Sequence, residues 1–137
     1  MLNKNAKAWV AALRSKEYKQ GRKALCKLVK ESPLYCCLGV ACDLYRKEVQ
    51  GTWSSSDKSL PSYRTFTAVE GDSEGELLPN AVAKWLELAS IDGLFFFEGG
   101  HDGGSLVGIN DTKGSTFNKI ANLIEADPKG LFGDLDA

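Results

Sequence analysis

Four thiols, one histidine, an Asn-Asp pair and an arginine beside aromatic residues are the groups in this chain able to do chemistry. The thiols are Cys26, Cys36, Cys37 and Cys42, and the single histidine is His101. A zinc site needs about four ligands at compatible spacing. Cys36, Cys37 and Cys42 lie close together, with Cys26 and His101 as further candidates. Yet no Cys-x-x-Cys pair occurs, and adjacent residues of a helix point about 100° apart. Buried thiols acting as small hydrophobes account better for the segment, so neither a metal nor another cofactor is expected. The enzymatic alternative is a cysteine hydrolase with Cys37 as nucleophile, which needs a base to activate the thiol. His101 would have to be that base, and it sits in a Gly-Gly-His-Asp-Gly-Gly loop ill suited to hold one rigidly.

Two patterns point instead to binding. Asn110-Asp111 can bond backbone groups in a turn ahead of the last helix, and free amides at a helix start also hold anions such as phosphate. Lys113-Gly114-Ser115-Thr116 would then line the site, but the Walker spacing is missing and nucleotide hydrolysis is discounted. Trp53 in a serine-rich loop, Tyr63 and Phe95 to Phe97 could supply a stacking platform, with Arg64 as a charge clamp. Stacking a base on one aromatic ring is worth ~1–3 kcal/mol. Core packing should claim at least two of the three phenylalanines, whereas Trp53 should be exposed. Gln20 and Arg22, in the basic amino-terminal third, complete the set of candidate ligand contacts.

Composition limits the function classes. The 137 residues fit one domain, and 43% hydrophobic with 26% charged residues is ordinary for a globular protein. Seventeen basic against 18 acidic residues give a net charge of -1, which argues against non-specific nucleic-acid binding. Charge is nevertheless graded along the chain. Residues 1–30 hold nine lysines and arginines against Glu17 alone, while residues 67–102 are acidic. A basic segment could meet an anionic ligand, or it could be a solvated face paired with the acidic half. No apolar run reaches signal-peptide or membrane-span length, and four cysteines without such a signal read as thiols of a reducing compartment. The cytoplasm is the expectation.

Around these groups, the spacing of Ala6, Trp9, Val10 and Leu13 predicts a helix over 3–14. Leu25, Leu28 and Val29 predict a second short helix stopped by Ser32-Pro33, and the small apolar run 35–45 a buried one reaching about Lys47. Residues 51–57 have loop composition, and 63–69 alternate like a half-buried strand. Pro79 opens a helix from Asn80 to Leu88; 93–98 read as a strand, with Ser105 to Ile109 as its hairpin partner. Ser115 caps a final helix with Phe117, Ile120, Ala121 and Ile124 on its apolar stripe. Leu131-Phe132 should fold back on the body. The expected architecture is a single α+β domain over 1–137, its helices packed on a small, mostly antiparallel sheet.

Tyr35-Cys36-Cys37-Leu38-Gly39-Val40-Ala41-Cys42-Asp43, and Ile109-Asn110-Asp111 followed by Phe117 to Glu125, resemble a family of small tailed-phage and prophage proteins. The Tyr18-Lys19-Gln20-Gly21 turn and the Leu78-Pro79 to Trp85-Leu86 helix fit the same outline. Thr112 to Thr116 makes the Asn-Asp spacing slightly longer than the family pattern, and the His101 loop has no counterpart in it. Cys37-Leu38-Gly39-Val40 is also weakly similar to the nucleophile segment of NlpC/P60-type peptidases. The phage resemblance brings no settled activity and no catalytic residues. It implies an accessory protein working inside a bacterium. Together these readings favour a non-enzymatic phage accessory protein binding a small anionic ligand, of the kind of a nucleotide immune signal, or a host protein. The alternatives are a cysteine hydrolase using Cys37 and His101, and a purely protein-binding inhibitor. A homo-oligomer is left open.

Overall fold

The computed structural model describes residues 2–30, 32–55, 63–69, 71–96 and 103–135; His101 and Phe97 lie outside them. Helix α1 (Lys4–Arg14) buries Ala6, Trp9, Val10 and Leu13, the stripe its periodicity predicts. Asn3 caps it by accepting from the Ala6 amide, and the Asn3 amide donates to Leu86 O. That bond ties the start of α1 to the end of α3 (Asn80–Leu86). Helix α2 (Cys37–Glu48) is the centre of the molecule, with Cys37 through Asp43 and Tyr45 all buried. Helices α1, α3 and α4 (Leu106–Asp111) pack around it, and α5 (Phe117–Glu125) lies against α1 and α4.

A sheet flanks α2. Its strands are β1 (Cys26–Val29), β2 (Ser32–Tyr35), β3 (Gly51–Ser55), β4 (Tyr63–Ala68) and the short β5 (Ser73–Glu74). The order is β2-β1-β4-β3, with β5 also on β4, and the pairings are antiparallel. Gln20 adds one parallel bridge to Tyr35 at the outer edge. Side chains alternate between faces along a strand. Phe66 and Ala68 are buried, so Arg64, two residues earlier, shares their face. A second, two-stranded sheet joins β6 (Leu94–Phe96) to β7 (Gly103–Ser105). The tail returns to the body through Leu131, which is fully buried, and a bridge from Phe132 to Leu88.

The α+β expectation holds, with four local corrections. Leu25, Leu28 and Val29 do not make a helix: three apolar positions fit either period, and pairing with β2 and β4 decides for a strand. Lys30, at φ 51, begins the tight turn of that hairpin. The serine-rich stretch after Gly51 is a strand rather than a loop, because β4 supplies its whole ladder. After Ser105 the chain becomes helical instead of continuing as a strand, and Ser105 caps α4 by accepting from Gly108 N. Thr116, not Ser115, caps α5. Of the phenylalanines, Phe95 is core, while Phe96 stays 49% exposed.

One close approach sets how α2 meets the sheet. A Cβ at Gly39 would collide with the Leu25 carbonyl, the same carbonyl that accepts from Cys36 N. Glycine in a helix ordinarily costs ~1 kcal/mol against alanine, so Gly39→Ala would stabilise a free helix. Here overpacking against backbone outweighs that gain. Gly39→Ala is expected to destabilise the protein by about 3 kcal/mol or more in urea unfolding, and any increase in stability would contradict this packing.

Candidate functional site

The nominated residues fall into two groups. The first centres on Asn110, which is fully buried near the carboxyl end of α4. Its Oδ1 accepts from Cys37 N at 3.1 Å and from Gln20 Nε2 at 3.2 Å, and its Nδ2 donates to Gly21 O at 2.8 Å. Asp111 Oδ1 accepts from Lys23 N at 2.8 Å. Asn110 and Asp111 therefore do not form a free turn at the start of α5. They hold the 20–23 segment and the first amide of α2, and both polar atoms of the Asn110 amide and Asp111 Oδ1 have protein partners. Arg22 Nη2 reaches Ser115 O at 3.3 Å, and Lys113 is exposed in the turn beyond. Beside that turn, a depression of about 250 Å³ reaches from Lys16 and Tyr18 to Thr116 and Asn118.

The thiols do not form a reactive centre. Cys37 is completely buried and its Sγ donates to Leu106 O at 3.6 Å. Burial pushes this thiol well above its ordinary pKa, and the Cys36 charge adds to the effect. The start of α2 lowers it too little to matter, so the thiolate that a nucleophile needs is disfavoured. Cys36 spends its sulfur as the cap of α2, accepting from Gly39 N, and burial raises it to about 12. All four cysteines are buried and unbridged. Among the described residues no group of three metal-ligating side chains comes together.

The second group centres on Asp43, whose importance was not foreseen. It is 5% exposed on α2. Tyr18 Oη donates to its Oδ2 at 2.7 Å, Arg46 Nε to its Oδ1 at 2.7 Å, and Trp53 Nε1 to its Oδ1 at 3.1 Å. Lys47 Nζ stands 3.8 Å from Oδ2 and 5.4 Å from the centre of the Tyr18 ring. Burial alone would raise the Asp43 carboxyl. The bonds from Arg46, Tyr18 and Trp53, with the Arg46 charge, outweigh it and hold the pKa below the ordinary carboxylate value. Trp53 is not the exposed ring the sequence implies. It is half-buried, edge-on to Phe66 at 5.0 Å and to Tyr35 at 5.9 Å. Tyr35 in turn meets Tyr18 edge-on at 5.1 Å.

Arg64 lies on the same sheet face, opposite Cys26, which itself pairs with Tyr35. Its Nε is buried and has no hydrogen-bond partner, a condition shared only with Arg22 Nε among the described residues. Burial raises the Tyr35 hydroxyl to about 12, and Asp43 and Cys26 add to the shift while Arg46 and Arg64 oppose it. Tyr35 thus sits in the joint field of both arginines and the carboxylate. A depression of about 240 Å³ opens beside it, lined by Tyr18, Lys19, Pro33 and Tyr35 among others.

The two hubs draw on the Tyr18 to Gly21 turn, the Tyr35 to Asp43 run, Arg46, Lys47, Trp53 and the Asn110-Asp111 pair. A single family model spans them, covering residues 1–128. The chain belongs to the family described as Domain of unknown function (DUF8296). No curated protein and no solved structure matches it. Within this DUF8296 chain, Arg46 and Lys47 at three and four residues from Asp43 were a legible signal, since those positions share a helix face. The contributions of Tyr18 and Trp53 to the same carboxylate were not.

Two outcomes test the hubs. Asn110→Ala strands the Cys37 amide and the Gly21 carbonyl in the interior, so it should cost about 2–5 kcal/mol in urea unfolding with an unchanged slope. Asp43 has a folded pKa below its unfolded value of about 3.9, so its stabilisation is present above about pH 4 and is lost as pH falls through the folded value. Asp43→Asn should lower the melting temperature at pH 7 and make the acid-side decline shallower than in the wild type. An unchanged acid profile would contradict the network.

Proposed function

We propose that this protein is a non-enzymatic accessory protein that binds a small anionic ligand of nucleotide class at the Arg64, Arg46, Tyr35 and Trp53 end of the sheet. The observation that carries the reading is Arg64, whose Nε is buried without a partner on a sheet face beside aromatic rings. Leaving a buried donor unpaired costs about 1–3 kcal/mol, a cost that an anionic ligand accepting from Arg64 would offset. The groups around Asp43 and Tyr35 fit a ligand. Arg46 and Lys47 are 40% and 52% exposed, and the Tyr18–Tyr35 depression offers an apolar wall for a base. The likeness to small phage proteins supports an accessory role in a host bacterium, with sequestration of a nucleotide immune signal as its biological form. The Asn110-Asp111 pair, first nominated for the anion, belongs to the scaffold of this reading, and Lys113 contributes nothing to it.

A protein partner is the second reading, favoured by Leu94 and Phe96. They stand two residues apart on β6, are 47% and 49% exposed, and share one face. Substituting them with serine would impair that function and leave nucleotide binding untouched.

The test is Arg64→Met, which keeps the length of the side chain and removes the unpaired donor. Thermal unfolding should be unchanged or raised. Calorimetric affinity for the tightest-binding member of a nucleotide panel should fall ~10- to 100-fold, the equivalent of losing one charged hydrogen bond. Loss of stability with affinity intact would make Arg64 structural and remove the site.

A further inference from the structure

The charges around Asp43 are unequal, and the inequality says which kind of phosphate suits the site. Arg46 and Lys47 bring two positive charges against the one negative of Asp43, and Arg64, which acts on Tyr35 together with Arg46, brings a third. Asp43 is almost fully enclosed and is already satisfied by Tyr18, Arg46 and Trp53. Arg46 gives Nε to Asp43, which leaves the terminal nitrogens of its fork for an outside acceptor. Arg46 and Lys47 also lie in the last turn of α2, where the helix end contributes roughly half a negative charge. The surplus still exceeds one unit. A monoanionic phosphodiester would leave it partly uncompensated, whereas a terminal phosphate with two charges would match it.

We infer that the site selects a nucleotide carrying a dianionic terminal phosphate over one whose phosphate is a monoanionic diester, with Arg64 and Arg46 as the phosphate contacts. This rests on the binding function proposed above. Asp43 is then a positioning residue: it aims Arg46 and Trp53 and contributes no contact of its own. Tyr18, Pro33 and Tyr35 line the depression beside Asp43, and Lys19 and Glu17 on the same lining carry opposite charges that offset one another. The second ionisation of a phosphomonoester falls near pH 6, so preference should follow the ligand's own titration.

The experiment is isothermal calorimetry on the full chain with a nucleoside 5′-monophosphate, its 3′,5′-cyclic counterpart and inorganic phosphate, at pH 7.5 and pH 5. The cyclic compound stays monoanionic at both values, so dividing by its affinity cancels titration of the protein itself. The expected result is at least ~10-fold tighter binding of the 5′-monophosphate at pH 7.5, with the ratio falling towards one at pH 5. Asp43→Asn should weaken the 5′-monophosphate despite removing a negative charge, because Arg46 loses its support; tighter binding would overturn the positioning role. Equal affinity of the two nucleotides at both pH values overturns the dianion preference and leaves anion binding standing. Binding of neither nucleotide, with or without inorganic phosphate, removes the binding function and this inference with it.

Discussion

A single buried carboxamide holds three separate parts of this chain in place. Asn110 accepts from the first amide of α2 and from the Gln20 side chain, and donates to Gly21 O. An apolar residue of similar volume could fill the space, but it would abandon the two backbone groups to a dry interior. The helix end is the reason an amide is needed. Orphan N–H groups at a helix start must find acceptors, and α2 begins so deep that water cannot supply one. Cys36 sulfur takes the Gly39 amide and Asn110 takes that of Cys37. The two neighbours divide the capping of one buried helix.

With α2 fixed in this way, the rest of the arrangement follows from contact. Gly39 lets the helix lie on the Leu25 backbone, which brings Asp43, one turn further along, under the aromatic edge of the sheet. Trp9 seals the same helix start from the other side by donating to Cys37 O at 2.9 Å. The consequence for chemistry is a division of labour. The double-cysteine run and the Asn-Asp pair look reactive in sequence because they gather polar and nucleophilic residues, and they are scaffold for the same reason. The buried side-chain nitrogens left without a partner among the described residues are cationic, Arg64 Nε and Arg22 Nε.

Much of this was legible in advance, and what was not has a physical cause. The stripes of α1 and α5 and the small-residue run of α2 carried their own periodicity, so helices and buried faces could be read directly. Strand β1 could not, because three apolar residues satisfy both periods, and β3 could not, because serines pair as well as valines when a neighbouring strand supplies the ladder. Asn110 was noticed, but its partners lie 73 to 90 residues away, so only folding reveals that its amide is already used. Trp53 was misjudged by its polar neighbours in sequence, whereas its neighbours in space are Phe66, Tyr35 and Asp43. The sequence shows Arg64 only as a cation next to Tyr63, and its unpaired Nε is a property of the fold alone.

The central claim is that ligand recognition resides in the cations around Asp43 and not in the Asn-Asp segment. Side-chain NMR during titration with a nucleoside 5′-monophosphate tests it most directly, since arginine Nε–H, indole N–H and asparagine amide signals can be followed together. The account predicts saturable shifts at Arg64 Nε–H and at the Trp53 indole N–H, with the Asn110 amide pair unmoved. Saturable shifts at Lys113 to Thr116, with Arg64 and Trp53 unchanged, would contradict it.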